Sequence, residues 1–71
     1  MNNSETIVRN KNNTPIGVCK EFPDRINAVH YRKGYVGCYT KGVDVTTDVQ
    51  GKIYCYGNGC TALILDADRG L

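Results

Sequence analysis

Four cysteines, one histidine and five tyrosines are the side chains here whose types and spacing could do chemistry. A structural zinc site takes four Cys or His ligands, usually as tight C-x₂-C pairs. Cys19, Cys38, Cys55 and Cys60 are separated by 18, 16 and 4 residues, so only Cys55 and Cys60 stand close enough to form half of such a site. An iron–sulfur cluster would need a further C-x₂-C after Cys60, and residues 61–71 contain no cysteine. Neither a metal nor another cofactor is therefore expected.

Four cysteines allow three disulfide connectivities. In a simple meander Cys38 and Cys55 lie two strand spacings apart, about 9.5 Å, beyond the roughly 7 Å that an unstrained bridge tolerates between Cα atoms. Cys55 and Cys60 flank a short Gly-Asn-Gly turn, and a bridge across it is geometrically permitted. Cys19 with Cys38 needs both side chains on one face, which strand alternation denies. The reading that fits best is that the thiols are small buried hydrophobes. A nucleophilic thiol needs a base beside it. With His30 the sole histidine and no motif around any cysteine, the chain is expected not to be an enzyme.

The tyrosines point elsewhere. Successive side chains of a strand face opposite ways, so in 35–39 Val36 and Cys38 share one side while Tyr35 and Tyr39 share the other. In 52–56 Ile53 and Cys55 pair off against Tyr54 and Tyr56 in the same manner. One face is thus expected to be aliphatic. The other is expected to display Tyr35, Tyr39, Tyr54 and Tyr56, with Asp44 and Thr46 between them, as a partner-binding surface. The segment His30-Tyr31-Arg32-Lys33-Gly34-Tyr35 interleaves aromatics with cations, and Tyr31, Arg32 and Lys33 are the candidate contacts to single-stranded nucleic acid. A solvated basic turn guarding a strand end explains the same residues without a ligand.

The elements that must position these groups are short. Turn chemistry recurs at 10–15, 22–24, 32–34, 41–42, 48–51 and 57–59. Between these turns lie β-branched and aromatic runs at 6–8, 16–20, 28–31, 35–40, 43–47, 52–56 and 61–65, all reading as strands. A turn followed by an aliphatic residue recurs at Thr14, Gly34 and Gly51, spaced close to twenty residues apart, as in a hairpin repeat. The expectation is an all-β antiparallel meander of five to seven short strands, with one short helical turn near residues 22–29. Residues 1–71 would form one small domain, frayed at 1–5 and 66–71.

Nine basic and seven acidic residues give a net charge of +2, too little to name a partner by charge alone. The opening residues lack the basic and apolar regions of a secretory signal. The longest aliphatic run, Ala62–Leu65, is far too short for a bilayer. The sequence therefore leads to a cytoplasmic, non-membrane interaction module that self-associates or binds a protein through its tyrosines. The alternatives are a weak nucleic-acid binder and a small secreted or surface domain stapled by disulfides.

Overall fold

A computed structural model describes residues 4–70. Six strands run in chain order as one antiparallel sheet: β1 (Glu5–Arg9), β2 (Pro15–Glu21), β3 (Arg25–His30), β4 (Gly34–Thr40), β5 (Val45–Asp48) and β6 (Ile53–Tyr56). A single helix, α1 (Cys60–Arg69), follows. The expected meander is present, and the turn-then-aliphatic phrase opens β2, β4 and β6. Two of its turns are built on acidic or amide side chains that accept backbone N–H groups. Asn10 Oδ1 takes the amides of Asn12 and Thr14 at 2.9 and 3.0 Å, and Asp48 Oδ1 takes those of Gln50 and Lys52 at 2.9 and 3.0 Å.

Some expectations fail at particular segments. The helical turn sought near residues 22–29 is a tight turn, closed by Phe22 N–H on Arg25 O at 2.7 Å, followed by β3. More consequentially, the aliphatic run at 61–65 is helical, and Asp66–Arg69 continue that helix instead of fraying. Residues 4 and 5, also expected to fray, are held, since Glu5 opens β1 and Ser4 O accepts the Glu21 amide at 2.8 Å; residues 1–3 and 71 lie outside the described residues.

A four-residue apolar run fits either strand or helix. The wider spacing decides it, because Cys60, Leu63 and Ile64 fall on one helical stripe and are all buried. Asn58 Oδ1 accepts the Cys60 amide at 3.1 Å at the start, and Gly70 closes the end through its N–H on Asp66 O at 3.2 Å.

The helix packs on one face of the sheet against Val8, Ile16, Cys19 and Ala28, with Ile26, Val36, Tyr39 and Tyr54 around them. Close approach depends on two glycines. A Cβ on Gly17 would run into the Val29 carbonyl and come within 2.7 Å of Ile64. A Cβ on Gly37 would run into the Thr47 carbonyl and come within 2.7 Å of Leu63, and Gly37 has φ +150° besides.

Gly37→Ala should therefore cost at least about 3 kcal/mol, combining overpacking with backbone strain. Gly42→Ala, with nothing within 4 Å of the added methyl, should change stability by no more than about 0.5 kcal/mol. Urea unfolding followed by circular dichroism checks both, and equal losses would contradict the packing described.

Candidate functional site

Strand register assigns every candidate to a face, because directly opposed residues share one. Tyr39 pairs with Ile26 and Thr46, and it packs toward the helix. Tyr35 pairs with Val29, on the opposite, uncovered face. The switch happens at a bulge between Ala28 and Val29, where Val36 is the extra residue. A second bulge sits between Thr46 and Thr47 and makes Tyr54 the extra residue in β6. Tyr54 turns to the helix and Tyr56 to the open side. The sequence reading of four tyrosines on one surface is thus corrected: Tyr35 and Tyr56 share the open face, while Tyr39 and Tyr54 lie on the helix side.

The helix-side tyrosines are already engaged. Tyr39 donates its hydroxyl to Asp44 Oδ1 at 2.7 Å, and Tyr54 donates to Asp66, which Arg69 also contacts. The Asp66 carboxylate pushes the Tyr54 hydroxyl up to about 12, and the Tyr54 and Arg69 contacts hold Asp66 below its ordinary range. Thr46, expected to be exposed among the tyrosines, is fully buried. Its hydroxyl donates to Gly57 O at 2.6 Å and accepts the Gly59 amide at 2.8 Å, which fixes the path from β6 into α1.

The open face carries a row of apolar residues across four strands, Ile7, Val18, Val29 and Tyr35. Val45 and Tyr56 lie at its other end, and Ile53 stands beside Thr47 in the row between. Ile7, Tyr35 and Ile53 are exposed, and Tyr56 is 77% exposed. Between the two groups run Lys20, Asn27, Cys38 and Thr47. Here Tyr35 is pushed up to about 12 by the Cys38 thiol beside its hydroxyl.

His30 is 1% exposed and both its ring nitrogens are committed. Nδ1 accepts the amides of Arg32 and Lys33 at 3.1 and 3.2 Å. That leaves the proton of the neutral ring on Nε2, which donates to Asp68 Oδ1 at 3.1 Å. The imidazole ties the β3–β4 turn to the end of the helix and presents no free nitrogen to a substrate. Tyr31, Arg32 and Lys33 stand exposed on that turn.

All four cysteines are free thiols. Cys55 and Cys60 do not flank a hairpin, since Cys60 opens the helix and its thiol donates to Ile26 O at 3.2 Å. No group of three or more potential metal ligands occurs among the described residues. Cys38, expected on the aliphatic core side, lies on the open face. Cys55 opposes Thr46, and its sulfur lies against Gly59. Cys19, expected out of phase with the core, is buried within it beside Cys60. The juxtaposition of Cys19 and Cys60 is invisible in the sequence when 61–65 is taken as a strand. Helical spacing at Cys60, Leu63 and Ile64 was the signal for it.

Two cavities border the helix. One of about 510 Å³ lies at its C-terminal end between Asn10–Asn12 and Leu65, Asp68 and Arg69, with charges of both signs on its walls. The other, about 230 Å³, lies at its N-terminal end and is lined by Thr6, Cys19, Glu21, Ile26, Asn58 and Thr61. No helix among the described residues is long and apolar enough to cross a membrane. Among the described residues the fold is one sheet and one helix, with one sheet face left uncovered. No family model, curated protein or solved structure matches the chain.

The Tyr54–Asp66 contact sets a pH window. Because the Tyr54 pKa is raised in the fold, the contribution of the neutral hydroxyl is complete below the ordinary value of 10.0 and is lost as pH rises through about 12. Because the Asp66 pKa is lowered, its contribution is complete above 3.8 and is lost as acid titrates it below that. Asp66→Asn should move one tyrosine ionisation from about 12 down toward 10.0. An ultraviolet difference titration checks this, with Tyr54→Phe identifying the transition. An unchanged tyrosinate curve contradicts it.

Proposed function

We propose that the chain is a non-catalytic interaction module that docks through the uncovered face of its sheet, most simply against a second copy of itself. The observation that carries this reading is the one-sided helix, which leaves Ile7, Tyr35, Ile53 and Tyr56 exposed on the other face. A small sheet generally needs both faces covered, or one of them polar, and the open face here is uncovered and only partly polar, with apolar residues on either side of Lys20, Asn27, Cys38 and Thr47. Tyr35 and Tyr56 are its aromatic anchors. Tyr39 and Tyr54, spent on Asp44 and Asp66, support the module from within.

The shape favours a protein partner with a flat face. The molecule measures 33 × 29 × 17 Å, and its broad side exceeds the roughly 800 Å² per partner of an ordinary interface. Edge pairing is the less favoured mode of self-association. Both edge pairings are irregular, the β1–β2 ladder by a bulge at Ile16 opposite Val8 and Arg9 and β6 by one at Tyr54, and β6 is only four residues long. A second copy brings the same broad face with the same apolar groups, and two sheets packed face to face would make a sandwich with a shared core.

A second reading rests on charge placement. Arg9, Lys11, Arg32, Lys33, Lys52 and Arg69, six of the nine cations, lie at the end of the sheet that holds the β1–β2, β3–β4 and β5–β6 turns and the C-terminus of α1. With exposed Tyr31 among them, this end suits the backbone and bases of a single strand.

Sedimentation equilibrium of the wild type should give a dimer, and the Tyr35→Lys/Tyr56→Lys variant a monomer with unchanged circular dichroism. A wild-type monomer at all concentrations tested would overturn self-association. The nucleic-acid reading predicts that an oligothymidylate binds with salt-dependent affinity and that Arg32→Ala/Lys33→Ala weakens it. Absence of binding at low salt would remove it.

A further inference from the structure

We propose that Cys19 and Cys60 form a peroxide-sensitive dithiol, in which Cys19 is the thiol that is oxidised first and Cys60 the one that resolves it into an intramolecular disulfide. The site lies on the helix-covered side, so it stands independently of the docking reading.

Several features of the fold converge there. Cys19, on β2, and Cys60, the first residue of α1, belong to the same buried cluster. The Cys60 thiol has one hydrogen and two acceptors within reach, the Ile26 carbonyl at 3.2 Å and the Cys19 sulfur. Rotation about its Cβ–Sγ bond moves the hydrogen between them without moving either sulfur. Thr61 Oγ1 lies 4.0 Å from Cys19 Sγ and offers a second hydroxyl-type donor. Both donors sit in the first turn of α1, whose positive end favours an anion. The approach is open on one side only. Cys19, 8% exposed, lines the cavity of about 230 Å³, which is several times the roughly 30 Å³ share of one water molecule and so admits a peroxide. Cys60 is 1% exposed and does not line it. Glu21, also on the cavity wall, is held by Lys41 at 2.8 Å, which offsets its charge.

Ionisation follows this geometry. Cys19 is lowered to about 7, chiefly by the Cys60 thiol donating to its sulfur, with burial opposing and Thr61 assisting. Cys60 is pushed far up by the same contact, by burial and by the nearby negative charge. A thiolate in reach of solvent is the reactive form, and only Cys19 has both properties.

The chemistry balances with a hydroperoxide as oxidant. The Cys19 thiolate attacks the terminal peroxide oxygen, the O–O bond breaks, and the departing hydroxide or alkoxide takes a proton to leave as water or an alcohol. Cys19 is then a neutral sulfenic acid, so the charge that held the Cys60 proton is gone. The Cys60 sulfur attacks the Cys19 sulfur, the S–O bond breaks, and hydroxide leaves as water with the Cys60 proton. Two thiols lose two electrons and two protons, and the peroxide is reduced.

The test uses the full chain with Cys38→Ser/Cys55→Ser, so that only this pair remains, alongside the wild type. Treatment with hydrogen peroxide should remove both thiols, lower the mass by two hydrogens and link the peptides containing Cys19 and Cys60, all reversed by dithiothreitol. The rate of Cys19 alkylation should rise with a midpoint near 7. Adding Cys60→Ala should stop oxidation at a dimedone-trappable sulfenic acid and move the alkylation midpoint up toward 9.0. If that variant unfolds, the wild-type and double-serine measurements still decide. Two thiols surviving peroxide in the folded double-serine protein, or a Cys19 alkylation midpoint that stays near 9.0 with Cys60 intact, would overturn the proposal.

Discussion

The close seating of α1 on the sheet is the constraint from which the rest follows. Gly17 and Gly37 leave out the side chains that would hold the helix away, and Ile64 and Leu63 fill the space. The dimensions agree along its length. Cys60 touches the strand row of Ile26 and Asp68 touches that of His30. These rows are four residues apart, about 13 Å at strand rise, and the eight residues of helix between the two contacts rise about 12 Å. Hence one short helix closes both ends of the covered face, through a thiol at its start and a carboxylate near its finish. Thr46 sets where it enters and His30 where it stops.

Much of this was legible in the residues. Turn formers separated by β-branched and aromatic runs reveal the meander, because strand identity is a local property that short segments carry by themselves. The helix was harder to see. Ala62–Leu65 alone fits both periods, and only Cys60, taken together with Leu63 and Ile64, favours the helical one. Face assignment failed for a different reason. Alternation counts residues from one reference, and an unseen bulge shifts the count by one. Val36 and Tyr54 each do so, which is why four tyrosines in apparent phase separate into two pairs. The candidate thiol pair was hidden because it joins residues 19 and 60, and no local pattern connects positions on β2 and α1.

The result is a molecule with two unlike sides. Under the helix, polar groups are matched almost individually: His30 to Asp68, Thr46 to the Gly57–Gly59 backbone, Tyr54 to Asp66. On the other side apolar rows are interrupted by a polar middle, where the buried Asn27 Oδ1 has no partner among the described residues. Specific contacts organise the first side, and area dominates the second.

The strand order also has a temporal consequence. Every strand pairs with its chain neighbour, so the sheet's contacts span few residues and closing each hairpin costs little chain entropy. The helix is different, because Ile64 must find Gly17 across 47 positions. Loop-closure entropy therefore orders assembly, with hairpins forming first and α1 docking last. During synthesis the side of the sheet that becomes the core stays wetted until residues 60–69 emerge. For that interval the apolar helix side of the sheet is bare, and residues 60–69 are what end its exposure to misassociation.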